Sequence, residues 1–285
     1  MDVKTQSLGD IAPSAAFAAE DSAAVPRRVG WGSFVWFMIK LLALVLAFRT
    51  VVFSPFSIPT ESMVPRLMNG DYLLAAKWPY GISRHSLPFD LPLADGRILP
   101  AAPQRGDIVI FKHPVDRRDY IKRVIGLPGD SVAMVDGQVV LNGKRVPRVP
   151  ADDVLISQSP NTGCAWGGDL EQSADGSAVC RYAAFRETLP DGRSYTVLDF
   201  GTTPADSFAP ITVPAGTMFV MGDNRDNSRD SRFPAAAGDG VGMVPQDLLV
   251  ARATIIVWST DGSAEWLLPW TWFSAARWDR IGDSL

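Results

Sequence analysis

Hydrophobic and polar positions alternate in two different ways along this chain. Across 34–48 every position is apolar except Lys40, and Trp31 before it and Val51-Val52-Phe53 after it lengthen the run. Its extent approaches the ~20 residues that cross a hydrocarbon core, which predicts one transmembrane helix over 31–53. The competing reading is a buried helix of a soluble domain, because Lys40 and Arg49 are costly in hydrocarbon unless they snorkel or pair. Arg27 and Arg28 precede the run, so the positive-inside bias puts the N-terminus in the cytoplasm and everything after Phe53 outside. A cleaved leader does not fit: the run starts late, its preceding tail is acidic, and Phe53-Ser54-Pro55 is not a small-x-small exit. Residues 1–30 show no apolar period and are expected to be a disordered cytoplasmic tail.

From Asp71 onward the period shortens to that of strands. Tyr72-Leu73-Leu74-Ala75, Ile108-Val109-Ile110-Phe111, 119–125 and 131–135 are short β-rich runs. Asp136-Gly137 and Asn142-Gly143 flank Gln138-Val139-Val140-Leu141, a hairpin signal followed by a second turn. Between about 150 and 210 the composition shifts toward Gly, Asp and polar residues. Strand patterning resumes at Met218-Phe219-Val220-Met221 and at 253–258. The expectation is a mostly β protein: a discontinuous main domain over 54–150 and 211–262, a smaller β insertion over 151–210, and an aromatic C-terminal segment over 263–285. In that last segment Trp266, Trp270, Trp272 and Phe273 suit either the headgroup level of a membrane or a packed cover for the sheet, and Pro269 interrupts any long helix.

Composition narrows the partners. With Lys+Arg 27 against Asp+Glu 31 the net charge is -4, which lacks the basic footprint of a nucleic-acid binder. The apolar fraction of 47% suits a globular domain with membrane contact.

Three separated motifs carry the chemistry. Ser62 lies in Phe56-Ser57-Ile58-Pro59-Thr60-Glu61-Ser62-Met63-Val64-Pro65, just beyond the apolar span. Lys122 lies in Tyr120-Ile121-Lys122-Arg123-Val124-Ile125-Gly126-Leu127-Pro128-Gly129-Asp130. Residues 222–232 read Gly-Asp-Asn-Arg-Asp-Asn-Ser-Arg-Asp-Ser-Arg. A serine hydroxyl needs a base, and the chain has only His85 and His113, both read as ordinary surface or loop residues. A lysine serves if apolar surroundings disfavour its ammonium, and period-two alternation puts Lys122 on one face with Tyr120 and Val124.

Together, in this order and just outside an apolar span, the motifs resemble bacterial type I signal peptidase, or leader peptidase, over about 51–258. The resemblance implies a membrane-anchored serine endopeptidase of the bacterial inner membrane, with its catalytic domain on the outer side. It would remove signal peptides from exported preproteins by cutting after small residues, without a cofactor. It implies Ser62 as nucleophile, Lys122 as general base, and the Thr60 hydroxyl with the Ser62 N–H as oxyanion hole. Ser228 would orient the lysine, supported by Asp223, Asp230 and Arg232. Phe56, Ile58, Met63, Leu67, Tyr120 and Ile121 would wall pockets for small side chains. Glu61 departs from the small residue often found before the nucleophile, and along an extended chain its carboxylate is expected to point away from the serine.

Other readings compete at single points. A calcium loop started at Asp226 would put Ser231 at its glycine position and Ala237 at its final carboxylate position, so no metal is expected there. Cys164 and Cys180 lie in the exported part, where a disulfide is expected in preference to a metal site. Two other functions remain: a dedicated processing protease of a conjugation or pilus system, and a non-catalytic membrane-tethered β scaffold. Oligomeric state is not legible in the sequence.

Overall fold

The fold is seen in a computed structural model that describes residues 30–285 except 84, 86–96, 166, 174, 175 and 266. The tail expected over 1–30 lies outside the described residues, apart from Gly30, and so does Trp266. Helix α1 covers Trp31–Val51, with side chains described as far as Leu46. Among the described residues no helix is long and apolar enough to cross a membrane.

Beyond α1 the chain is mostly β. One sheet of seven strands organises it: β1 (Phe53–Ser57), β2 (Asp71–Ala76), β3 (Ile108–Lys112), β4 (Asp119–Gly126), β5 (Thr217–Met221), β6 (Val244–Pro245) and β7 (Leu249–Ser259). Their spatial order is β1-β2-β7-β3-β4-β5-β6, antiparallel throughout. Strand β1 lies at an edge, which is where Pro55, lacking an N–H, can sit within a sheet. Register irregularities in β7 against both neighbours add the local twist that curls the sheet.

Alternation on β3 separates two cores. Ile108 and Ile110 join Ile58, Met63, Leu67, Leu73 and Ile121. Val109 and Phe111 face the other way, toward Val124, Met218 and Val220, with Tyr120 packed alongside. Lys122 is the cross-strand partner of Val109, so its stem lies on the second face, against apolar neighbours.

The two turns expected from Asp136-Gly137 and Asn142-Gly143 form. All four residues have positive φ (52°, 72°, 52° and 75°), the primed-turn geometry that these residue types adopt at least cost. They join strands Ser131–Val135, Gln138–Leu141 and Lys144–Arg145, and Phe208–Thr212 completes that four-stranded sheet.

The segment between holds two three-stranded sheets. Arg148–Pro150, Ala184–Thr188 and Ser194–Leu198 make one, and Val154–Ser157, Ala178–Tyr182 and Asp169–Gln172 the other. A disulfide joins Cys164 to Cys180. Val64, two residues after Ser62, packs in one cluster with Ile156, Cys180, Tyr182 and Leu198, so the segment supports the serine loop from behind.

At the C-terminus Arg280 grips the buried Asp71 through Nε (3.1 Å) and Nη2 (2.6 Å), and Ser284 bridges to Ile255. The short helix α2 (Pro269–Ser274) leaves Leu267, Trp270 and Phe273 exposed beside it. Part of the C-terminal segment thus packs on the sheet, where Trp278 meets Trp258 edge-on (5.8 Å), and part faces outward.

Candidate active site

Three chain segments meet at Ser62. Pro59 ends the extended path from β1, and a turn carries Ser62 back toward the sheet. Lys122 reaches it from the middle of β4. Loop 222–232 closes over both after β5: the Asn224 N–H donates to the Ser62 carbonyl (3.1 Å), and the Asn224 amide donates to the Glu61 carbonyl (3.3 Å). Ser62 and Lys122 are both buried, and Lys122 Nζ lies 2.6 Å from Ser62 Oγ and 3.1 Å from the Ile121 carbonyl.

Burial sets the state of this amine. Desolvation drives the Lys122 pKa down, Asp230 and Asp223 pull it back up, Arg232 pushes it down again, and the result is about 8 in place of 10.5. The two carboxylates are themselves occupied. Asp223 accepts from Arg123 Nε (2.7 Å) and Nη2 (2.6 Å), while Asp230 accepts from Arg232 Nε and Nη2, both 2.9 Å, and from the Gly222 N–H (3.1 Å). Burial alone would raise the Asp230 carboxyl, but Arg232 and these hydrogen bonds more than offset it, so it stays below the usual carboxylate range. Asp230 is thus held as an anion by Arg232, and Asp223 is tied to Arg123 by two hydrogen bonds.

Beside the pair opens a cavity of about 440 Å³. Phe56, Ile58, Thr60, Glu61, Tyr120 and Ile121 line it, with Asn227 and Arg229 from the loop. Of the six residues expected to wall the pockets, four do so. Met63 and Leu67 do not: both are fully buried in the core, because the turn at 59–62 swings the chain inward after Ser62. Thr60 is exposed on the cavity wall. Ser228 Oγ is buried but makes no hydrogen bond among the described residues, so the amine is held by Ser62 and the Ile121 carbonyl. Glu61 lines the cavity and is half-buried there, with the Asn227 amide donating to its Oε2 at 3.3 Å. His113 is buried, not a surface residue, and its Nε2 lies 3.1 Å from the Gly240 carbonyl.

Sequence reasoning missed the wiring behind loop 222–232. Arg225, fully buried, pairs with Glu187 through both guanidinium nitrogens (2.7 and 2.5 Å), and the Tyr195 hydroxyl donates to the same carboxylate (2.9 Å). Leu198 N–H donates to the Asp223 carbonyl and Arg225 N–H to the Leu198 carbonyl, both 2.9 Å. Breaking such a buried pair by removing one partner typically costs ~3–5 kcal/mol. The only local signal was Arg123: it follows Lys122 on a strand and must face the opposite way, toward this network.

Comparison with known proteins decides the family. The family profile described as "Signal peptidase, peptidase S26" matches residues 31–258. The chain belongs to the signal peptidase, peptidase S26, family. Signal peptidase I of Rickettsia massiliae (strain Mtu5) is 35% identical over 240 residues, 81% of this chain and 79% of the relative. Signal peptidase I of Rickettsia prowazekii (strain Madrid E) is 34% identical over 240 residues, 81% of this chain and 80% of the relative. A solved signal peptidase I from Enterococcus faecalis V583 covers 53% of this chain and 97% of its own, at 24% identity and a TM-score of 0.29, too low to argue a shared fold. As a signal peptidase the chain is a serine endopeptidase that removes N-terminal signal peptides from preproteins.

Proposed function

We propose that Ser62 is the nucleophile and Lys122 the general base of this signal peptidase. The observation that carries the reading is the 2.6 Å approach of Lys122 Nζ to Ser62 Oγ in surroundings that favour the neutral amine. The neutral amine accepts the hydroxyl proton as Oγ attacks the carbonyl at the cut. The Ser62 N–H and Thr60 hydroxyl then receive the oxyanion, and the lysine ammonium returns its proton to the leaving amine. Asp223 and Asp230, tied down by Arg123 and Arg232, keep the loop in place without taking that proton. Ser228 brings its hydroxyl to the same buried corner, beside Gly222 and the Ser62 carbonyl, without a hydrogen bond to the amine. Incubation with a model preprotein and sequencing of the new N-terminus tests the assignment: Ser62→Ala should release no mature chain, and continued cleavage at the same bond would refute it.

The substrate lies extended, its residues before the cut in pockets walled by Phe56, Ile58, Tyr120 and Ile121. Ile58 and Ile121 are nearly buried, so little depth remains and alanine fits where larger side chains do not. Ile58→Ala and Ile121→Ala should each shift cleavage toward neighbouring sites with larger residues. An unchanged cut position for both, on a substrate that offers such sites, would contradict these walls.

Anchoring by α1 fits the exposure of every described side chain along it and the arginines before it. The enzyme then sits in the inner membrane with its N-terminus cytoplasmic and its catalytic part outside, while Leu267, Trp270 and Phe273 meet lipid headgroups. A reporter fused after Trp258 should be exported and one fused before Val29 should stay cytoplasmic; the reverse would exclude the orientation.

A further inference from the structure

Charge in the cavity is not balanced end to end. Besides Lys122, its charged lining residues are Glu61, Arg118, Asp119 and Arg229. Asp119 is paired with Lys112 (3.1 Å), and Arg229 with Asp239 (3.2 Å) while it covers the Phe233 ring (4.8 Å). Among the described residues Glu61 and Arg118 have no opposite charge within ion-pair distance. Arg118 precedes Tyr120 and Ile121, which wall the cavity, while Glu61 adjoins the nucleophile and meets Asn227 of the closing loop.

We propose that Glu61, with Asn227, forms a subsite for the first two residues after the cut that accepts a basic side chain and disfavours an acidic one. It rests on the Ser62–Lys122 reading and adds to it a substrate class. The Asn227 amide supplies one hydrogen bond to Glu61 Oε2, and a carboxylate has about four acceptor positions, so room is left for an ammonium or guanidinium. An acidic substrate side chain would face a like charge in a half-buried setting. Arg229 is turned toward Asp239 (3.2 Å). Burial also pushes the Glu61 carboxyl above its usual range, the mark of an anion without a countercharge, and an incoming cation relieves that cost.

The test uses matched peptides that differ only in Lys, Gln or Glu at the first or second position after the cut, with the same substitutions well beyond these positions, farther along the mature chain, as a control. Partly exposed pairs of this kind change kcat/KM by roughly 3- to 10-fold. The wild-type enzyme should prefer Lys to Glu by about that factor at one of the two positions, and high salt should shrink the preference. Glu61→Gln should bring the ratio toward unity and Glu61→Lys should invert it, while the control position keeps its ratio. Because each ratio is taken within one enzyme, a change in folded fraction or overall turnover cancels. A wild-type ratio within about twofold of unity at both positions, or one that Glu61→Gln leaves unchanged, overturns the proposal. Neither result touches the dyad, which fails separately if Ser62→Ala still cleaves.

Discussion

Ser62→Ala and Lys122→Ala will each lower kcat/KM by about 10⁴-fold or more, and the double variant will be little worse than either alone. The reason lies in the shared proton. On the proposed reading Ser62, 2.6 Å from Lys122 Nζ, attacks only while the amine can receive its proton, and the amine has no other task in the first step. Removing either residue removes the whole device, so the losses do not add. Lys122→Arg will be as inactive as Lys122→Ala, since a guanidinium stays protonated near neutral pH. Losses that multiply in the double variant would mean that the two residues act independently.

Gly222→Ala will cost about 10²-fold or more in turnover while the β circular-dichroism signature persists. Gly222 is not in the left-handed region, so its need is for space. A Cβ there would lie 2.3 Å from Ser228 Oγ and 2.4 Å from the Ser62 carbonyl oxygen. The serine carbonyl is held by the Asn224 N–H, so relief requires the nucleophile's own backbone to move. A displacement near 1 Å at the reacting atoms is worth about two orders of magnitude. Near-wild-type turnover for Gly222→Ala would show that the loop and serine segments are looser than these contacts imply.

What the sequence could disclose was local. Asn142-Gly143 and Asp136-Gly137 announce their turns because few other residue pairs adopt two successive positive φ values cheaply. The three motifs announce the site because each keeps its reactive residue within a short recognisable string. Partnerships made by the fold leave no such trace: nothing near Glu187 says that it will neutralise Arg225, and nothing in 59–67 says that Met63 and Leu67 turn into the core while Ile58 stays on the cavity wall. Glu61 shows the same limit: nothing near it in the sequence announces that the Asn227 amide will meet its carboxylate. His113 lies in a loop, one of the two places expected for it, but is buried, because the Gly240 carbonyl meets its ring inside.

Neutralisation of Lys122 near pH 8 is the change on which the proposed chemistry turns. Its direct measurement is the titration of the Lys122 Nζ resonance in the folded enzyme, run beside the pH dependence of kcat/KM. Since burial disfavours the ammonium, the neutral fraction rises as pH climbs, so kcat/KM should increase about tenfold per unit below the midpoint and level off above it. The account predicts one midpoint near 8 in both records. A Nζ midpoint at the usual 10.5, or a rate profile that levels off with no matching change at Nζ, would contradict it.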